Sequence, residues 1–173
     1  SVIGPVSEAA LWRKEYLLLV ESEHGVASGS GWYGDGATAH ISVAPTTIDS
    51  AGEVIFEFNG WTGLVDTSEA EFDITVSSPG TLFASWRRRV GVFAEGGWGT
   101  VRGTGFFFPG DSTILTIAPE TLTVGGVMHI FIGWMLEGDT IRSESLVVNI
   151  GDEPIYLQTA WETKYNLVIA SSS

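Results

Sequence analysis

Apolar and polar positions alternate along residues 37–44: Ala37, Ala39, Ile41 and Val43 share one side, Thr38, His40 and Ser42 the other. A period of two predicts a half-buried strand. Phe72, Ile74 and Val76 alternate in the same way, and so do Leu82, Ala84 and Trp86. Residues 16–22 and 54–58 are apolar runs of strand length. Trp32-Tyr33 marks a short aromatic strand end, and Asp35-Gly36 a tight turn. Residues 25–31 read as a turn-rich connection, and residues 45–52 as a connection with room for a short helical turn. Asn59-Gly60 reads as a strand end and Pro79-Gly80 as a turn. No window carries an amphipathic helix of three turns, so the pattern predicts an all-β fold of many short strands.

The pattern repeats. Pro, six residues and then Trp occur at Pro5–Trp12, Pro79–Trp86 and Pro154–Trp161, at shifts of 74 and 75 residues. Tyr16, Val90 and Tyr165 each follow the Trp by four residues. Gly29-Ser30-Gly31-Trp32-Tyr33 matches Gly103-Thr104-Gly105-Phe106-Phe107, and Ala44-Pro45 matches Ala118-Pro119. Phe58-Asn59-Gly60-Trp61 matches Phe131-Ile132-Gly133-Trp134 at a shift of 73. A period this long exceeds one rung of a solenoid and predicts small domains in tandem.

The frame predicts four segments. Residues 1–12 read as an orphan closing strand, 13–87 as one module, 88–162 as a second, and 163–173 as an orphan opening strand. The fold class expected is two tandem small β modules, β-sandwich or β-grasp-like, with exchangeable terminal strands. An orphan strand leaves apolar side chains and backbone groups without partners. Donated to a neighbouring copy, it would build a heterologous, open-ended polymer by β-augmentation. The residues expected at that subunit interface are Pro5, Val6, Leu11, Trp12, Tyr165, Leu167, Val168 and Ile169. Burying Tyr165, Leu167 and Ile169 would contribute roughly 5–9 kcal/mol before association entropy is subtracted. Tails folded back on their own modules, or a chain cut from a longer array, fit the same frame.

Four motifs in order carry a family likeness: Tyr16-Leu17-Leu18-Leu19-Val20, Ser28-Gly29-Ser30-Gly31-Trp32-Tyr33, Phe58-Asn59-Gly60-Trp61-Thr62-Gly63 and Thr81-Leu82-Phe83-Ala84-Ser85-Trp86. With them the chain resembles the divergent internalin-type B-repeat family of prokaryotic cell-surface proteins. The likeness covers residues 15–87 well and 90–161 more loosely. There Val90 replaces the aromatic, and Leu157-Gln158-Thr159-Ala160-Trp161 shifts the Ala. It implies small β-grasp-like modules in arrays, with stalk, adhesin or surface-assembly roles and no catalytic residues to carry over.

Composition narrows the chemistry. The chain has 173 residues, 44% hydrophobic and 17% charged, enough for packed cores. Its formal charge of −13 would repel nucleic acid and anionic lipid. With no Cys there is no disulfide, thiolate nucleophile or Cys metal site. The longest apolar stretch, residues 124–136, is too short for a bilayer span. Ser1 and the lack of an apolar leader fit an exported, processed product as well as an excised piece.

Reactive constellations are not evident. His24, His40 and His129 lack zinc-ligand spacing, and there is no G-x-S-x-G, P-loop or EF-hand pattern. Glu69, Glu71 and Asp73 share a strand face, read as solvated rather than as a glycosidase pair. Arg87-Arg88-Arg89 reads as a linker between the copies. Trp12, Trp61, Trp86, Trp134 and Trp161 recur at repeat positions and read as core anchors, whereas Trp32 and Trp98 are candidates for exposure. The expectation is a non-enzymatic, extracellular cell-surface protein without cofactors. It would be the structural subunit of a filament or stalk, its partners identical copies joined head-to-tail by strand complementation. The alternative is an adhesin or carbohydrate-binding module meeting surface glycans or other cells.

Overall fold

The computed structural model describes residue 4 and residues 9–166. Among them every regular element is a strand, and none is a helix long and apolar enough to cross a membrane. The chain divides into two compact units. The first runs to Ile48 and resumes over Glu57–Arg87; the second takes Asp49–Phe56 and the chain from Arg88 onward.

The first unit draws on β1 (Glu15–Ser22), β2 (Val26–Ser28), β3 (Gly31–Gly34), β4 (Ala37–Ala44), β5 (Thr47–Ser50), β6 (Val54–Gly63), β7 (Glu71–Val76) and β8 (Gly80–Glu95). β1 pairs antiparallel with β3 and parallel with β8, while β2, β4 and β7 form a three-stranded sheet. Leu18, Val20, Ala39, Ile41, Val43, Trp61, Val76 and Leu82 form one buried cluster between these two layers. Each strand supplies alternate residues to it, which is why period two was informative. Burying one such aliphatic or aromatic side chain contributes about 1.5–3 kcal/mol.

The second unit draws on the tip of the β5–β6 hairpin and the end of β8, then β9 (Thr100–Arg102), β10 (Gly105–Phe107), β11 (Ser112–Ala118), β12 (Thr121–Val124), β13 (Val127–Leu136), β14 (Asp139–Ile141), β15 (Ser145–Asn149) and β16 (Ile155–Tyr165). β8 pairs antiparallel with β10 and parallel with β16; β15, β11 and β9 form the opposing sheet. The core is Val90, Val92, Leu115, Ile117, Phe131, Trp134, Val148, Ile150 and Leu157.

The pairings coincide at the repeat shift. Tyr16 faces Tyr33 as Val90 faces Phe107, each partner displaced by 74. Leu18 faces Gly80 as Val92 faces Ile155, displaced by 74 and 75. The Ala44–Pro45 and Ala118–Pro119 peptides are both cis. Trp86 donates its indole N–H to Ser22 Oγ at 3.0 Å, and Trp161 donates to the Gly96 carbonyl at 3.2 Å.

Several local expectations need correction. Residues 45–52 hold strand β5 and no helical turn, because Thr47–Ser50 forms a hairpin with β6. Residues 26–28 form β2 within the expected loop, paired with β4. Asn59-Gly60 does not end β6. Gly60 sits at φ 121°, where an added Cβ would lie 2.7 Å from the Thr67 carbonyl, so the glycine kinks a strand that continues. Arg87–Arg89 does stand at the junction of the two units, the boundary falling between Arg87 and Arg88, but as part of the continuous strand β8 rather than a loop, and Arg88 reaches Asp152 at 3.8 Å. Trp12 is no core anchor, being 93% exposed. Its repeat mates fall inside a unit, whereas residues 9–14 belong to no strand.

Candidate interaction surfaces

Of the expected interface residues, Pro5, Val6, Leu167, Val168 and Ile169 lie outside the described residues. Leu11 and Trp12 are 96% and 93% exposed, and Tyr165 is 78% exposed. The equivalent of Tyr165 at the head of the second unit, Val90, is fully buried. Residues 163–165 are not a separate strand. They finish β16 and pair with β13, Tyr165 opposite Val127.

The two units differ beside their closing strands. In the first, the chain turns back after Trp61, with a bridge from Trp61 to Thr67, and Leu64 N–H donates to the Thr81 carbonyl at 3.0 Å. Leu64 and Val65 thereby pack on the core next to residues 80–82. In the second unit the chain after Trp134 forms a regular hairpin instead, Trp134 opposite Ile141. A cleft of about 700 Å³ opens where the first unit has Leu64. It lies between β15, which among the described residues pairs only with β11, and residues 155–157, which precede the β13 ladder that starts at Gln158. Leu136, Ile141, Leu146, Val147, Ile155 and Leu157 give it apolar walls, and Glu137, Asp152 and Glu153 an acidic rim. Such a slot between open strand edges suits an extended apolar peptide.

The outer sheet faces also differ. In the first unit Leu17 and Trp32 are directly opposed, and Leu19 and Phe83 share their side of the sheet, away from the core. Trp32, Leu19 and Phe83 are exposed. In the second unit the same positions hold Gly91, Phe106, Phe93 and, at the position of Thr81, Tyr156. Phe93 stacks on Tyr156 at 5.1 Å and meets Phe106 edge-on at 5.9 Å. The tip of the β5–β6 hairpin closes on this ladder. Gly91 N–H donates to the Glu53 carbonyl at 2.9 Å, and the Tyr156 hydroxyl donates to Glu53 Oε1 at 2.6 Å. That bond, with the carboxylate charge beside it, raises the Tyr156 pKa above its usual 10.0.

The titratable cluster on the first unit is of another kind. His40 on β4 lies between two carboxylates of β7: Nδ1 is 2.8 Å from Asp73 Oδ1 and Nε2 3.1 Å from Glu71 Oε1. The Asp73 hydrogen bond, aided by both charges, raises the His40 pKa above 6.5. The carboxylates hold opposite edges of one ring. Among the described residues no group of three or more His, Cys, Asp or Glu is placed to hold a metal ion. Glu69 has no part in the cluster; its backbone N–H donates to Thr67 Oγ1 at 3.2 Å. The aromatic candidates are exposed as expected: Trp32 is 67% exposed, and Trp98 lies flat on His129 at 3.9 Å with one face outward. His129 is buried against Trp98 and hydrogen-bonded with Thr163 Oγ1 at 3.2 Å.

Sequence reasoning missed the cleft and the Glu53 contact. Neither has a motif; only the unequal segments after Trp61 and Trp134 hinted at a difference between the copies. No protein family, curated protein or solved structure matches the chain.

Proposed function

We propose that this chain is the structural subunit of an extracellular filament or surface stalk, in which an end segment of one copy adds a strand to the second unit of the next. One observation carries this reading. The second unit has an apolar cleft between two open strand edges at the place where the first unit is closed by its own Leu64. The exposed Leu11 and Trp12 supply a donor of matching character, with Pro5 and Val6 ahead of them in sequence. Arg13 and Lys14 follow, opposite in charge to the rim of Glu137, Asp152 and Glu153. The other end offers Tyr165, Leu167, Val168 and Ile169. One acceptor per copy and a donor at a different place make the contact heterologous, so assembly propagates rather than closes on a dimer.

Sedimentation and electron microscopy of the full chain test this. Wild-type protein is expected to form polymers above a threshold concentration. Val6→Asp with Trp12→Asp, or Leu167→Asp with Ile169→Asp, is expected to abolish them; whichever pair does so identifies the donor. Normal polymers from both variants would refute the reading.

A second reading, glycan binding, is favoured by the exposed indoles of Trp32 and Trp98. Titrating polysaccharides against tryptophan fluorescence checks it: a response lost in Trp32→Ala or Trp98→Ala supports binding, and no response dismisses it.

A further inference from the structure

We infer that successive copies share a second joint, in which the β12–β13 hairpin of one copy seats on the outer face of the first unit of the next, around Leu17, Leu19, Trp32 and Phe83. This rests on the head-to-tail reading and adds a second contact to the one made by the end segments.

Within the second unit a hairpin tip already seats on such a face. The tip of the β5–β6 hairpin, Ala51-Gly52-Glu53, is bonded to Gly91 and Tyr156 on the outer face of the second unit. Gly91 makes room for it: an added Cβ would stand 3.0 Å from the Glu53 carbonyl and 2.3 Å from the Phe93 ring. The repeat generates a second hairpin and a second face. β12 lies 74 residues after β5, and β13 begins 73 residues after β6. The face of Leu17, Leu19, Trp32 and Phe83 stands where Gly91, Phe93, Phe106 and Gln158 stand in the second unit.

Both members of this second pair have changed character together. The turn of the second hairpin is Gly125-Gly126, one residue shorter, so it has no counterpart of Glu53. The phenol that Glu53 accepts from is replaced on the first face by Thr81, and Gly91 by Leu17. The carboxylate–phenol contact therefore has neither partner at the second pair. In its place the hairpin tip presents exposed Val124 beside Val127 on one side and exposed Met128 on the other, and the face presents exposed Leu19, Trp32 and Phe83. Apolar surface on both sides favours a dry contact between copies, and a patch of large apolar side chains rarely stays uncovered. Within one chain the hairpin is in the second unit and the face in the first, so the pair again propagates.

The test uses full-length protein and assembly measured by sedimentation. Val124→Asp with Met128→Asp alters the hairpin, and Leu19→Asp with Phe83→Asp alters the face. All four residues are exposed, so melting temperatures are expected to stay near wild type. Each double variant is expected to raise the polymerisation threshold about tenfold or more, the scale of a 1.4 kcal/mol loss. Mixed one to one below the threshold of either variant alone, the two are expected to form discrete dimers, because an intact hairpin then meets an intact face only at alternate junctions. Polymerisation of either variant at the wild-type threshold would overturn the second joint, and so would a mixture without dimers. The end-segment variants separate the two conclusions. If they fail to assemble while the hairpin and face variants assemble normally, the end-segment joint stands and this one falls; the converse pattern leaves this one standing. Wild-type protein that stays monomeric up to about 1 mM removes both.

Discussion

Single residues set how much each unit can lose. Trp61 and Trp134 are fully buried at equivalent places, and neither indole N–H finds a hydrogen-bond acceptor. Their contribution is therefore packing. Trp61→Ala or Trp134→Ala is expected to cost about 3–5 kcal/mol in denaturant unfolding. Trp86 differs because its indole bonds Ser22 Oγ, so Ser22→Ala is expected to cost about 1–3 kcal/mol by leaving that donor without its partner. His40 adds a pH dependence. Its folded pKa is raised, so its contribution is complete below the ordinary value of 6.5 and is lost as pH rises through the higher folded value. The melting temperature is expected to fall between pH 6 and pH 8, and His40→Asn to flatten that slope. An unchanged slope in the variant would place the dependence elsewhere. Residue roles were partly legible. Repetition picked out Trp61, Trp86, Trp134 and Trp161, but it also picked out Trp12, because a repeated motif does not reveal whether a module surrounds it.

At the scale of elements, strands were legible wherever one face is buried and the other wet. β4 and β7 follow their alternation to the residue. Strands that break this condition were not legible. β5 has only Ile48 half-buried among exposed neighbours, and it sits between Pro45 and Gly52, which suggested a loop. β8 carries three successive arginines, yet a strand accepts them when each finds its own surroundings: Arg87 is exposed, Arg88 finds Asp152, and Arg89 lies over the Phe108 ring at 5.8 Å. Gly60 looked like a strand end because a kink and a turn both need a backbone that other residues disfavour. Gly133 marks a register shift in the β13–β16 ladder, and a Cβ there would lie 2.2 Å from the Ile141 carbonyl. Gly133→Ala is expected to cost about 1–3 kcal/mol through strain, measurable by chemical denaturation. The cleft and the hairpin contact were hidden for a related reason. Both depend on whether a neighbouring segment lies down on a sheet, and hydrophobic period does not encode that.

For the whole molecule, near-identical pairing in the two units makes their few differences informative. The first unit closes its slot and leaves its outer face apolar; the second leaves its slot open and covers its face with Glu53. Filling the slot is expected to separate folding from assembly. Val147→Trp, on the exposed wall of the cleft, should leave the melting temperature near wild type while reducing polymer yield in sedimentation. Equal yield would argue that the slot receives nothing.

In each unit the opening and closing strands lie side by side and run in the same direction, over Leu18–Ser22 against Gly80–Ala84 in the first. A tensile load enters such a unit at the start of one strand and leaves at the end of the other, at opposite ends of the shared ladder. The backbone bonds between them then bear the pull simultaneously instead of unzipping one by one. Each unit is expected to stretch little before yielding abruptly, as single-molecule pulling from both termini would register.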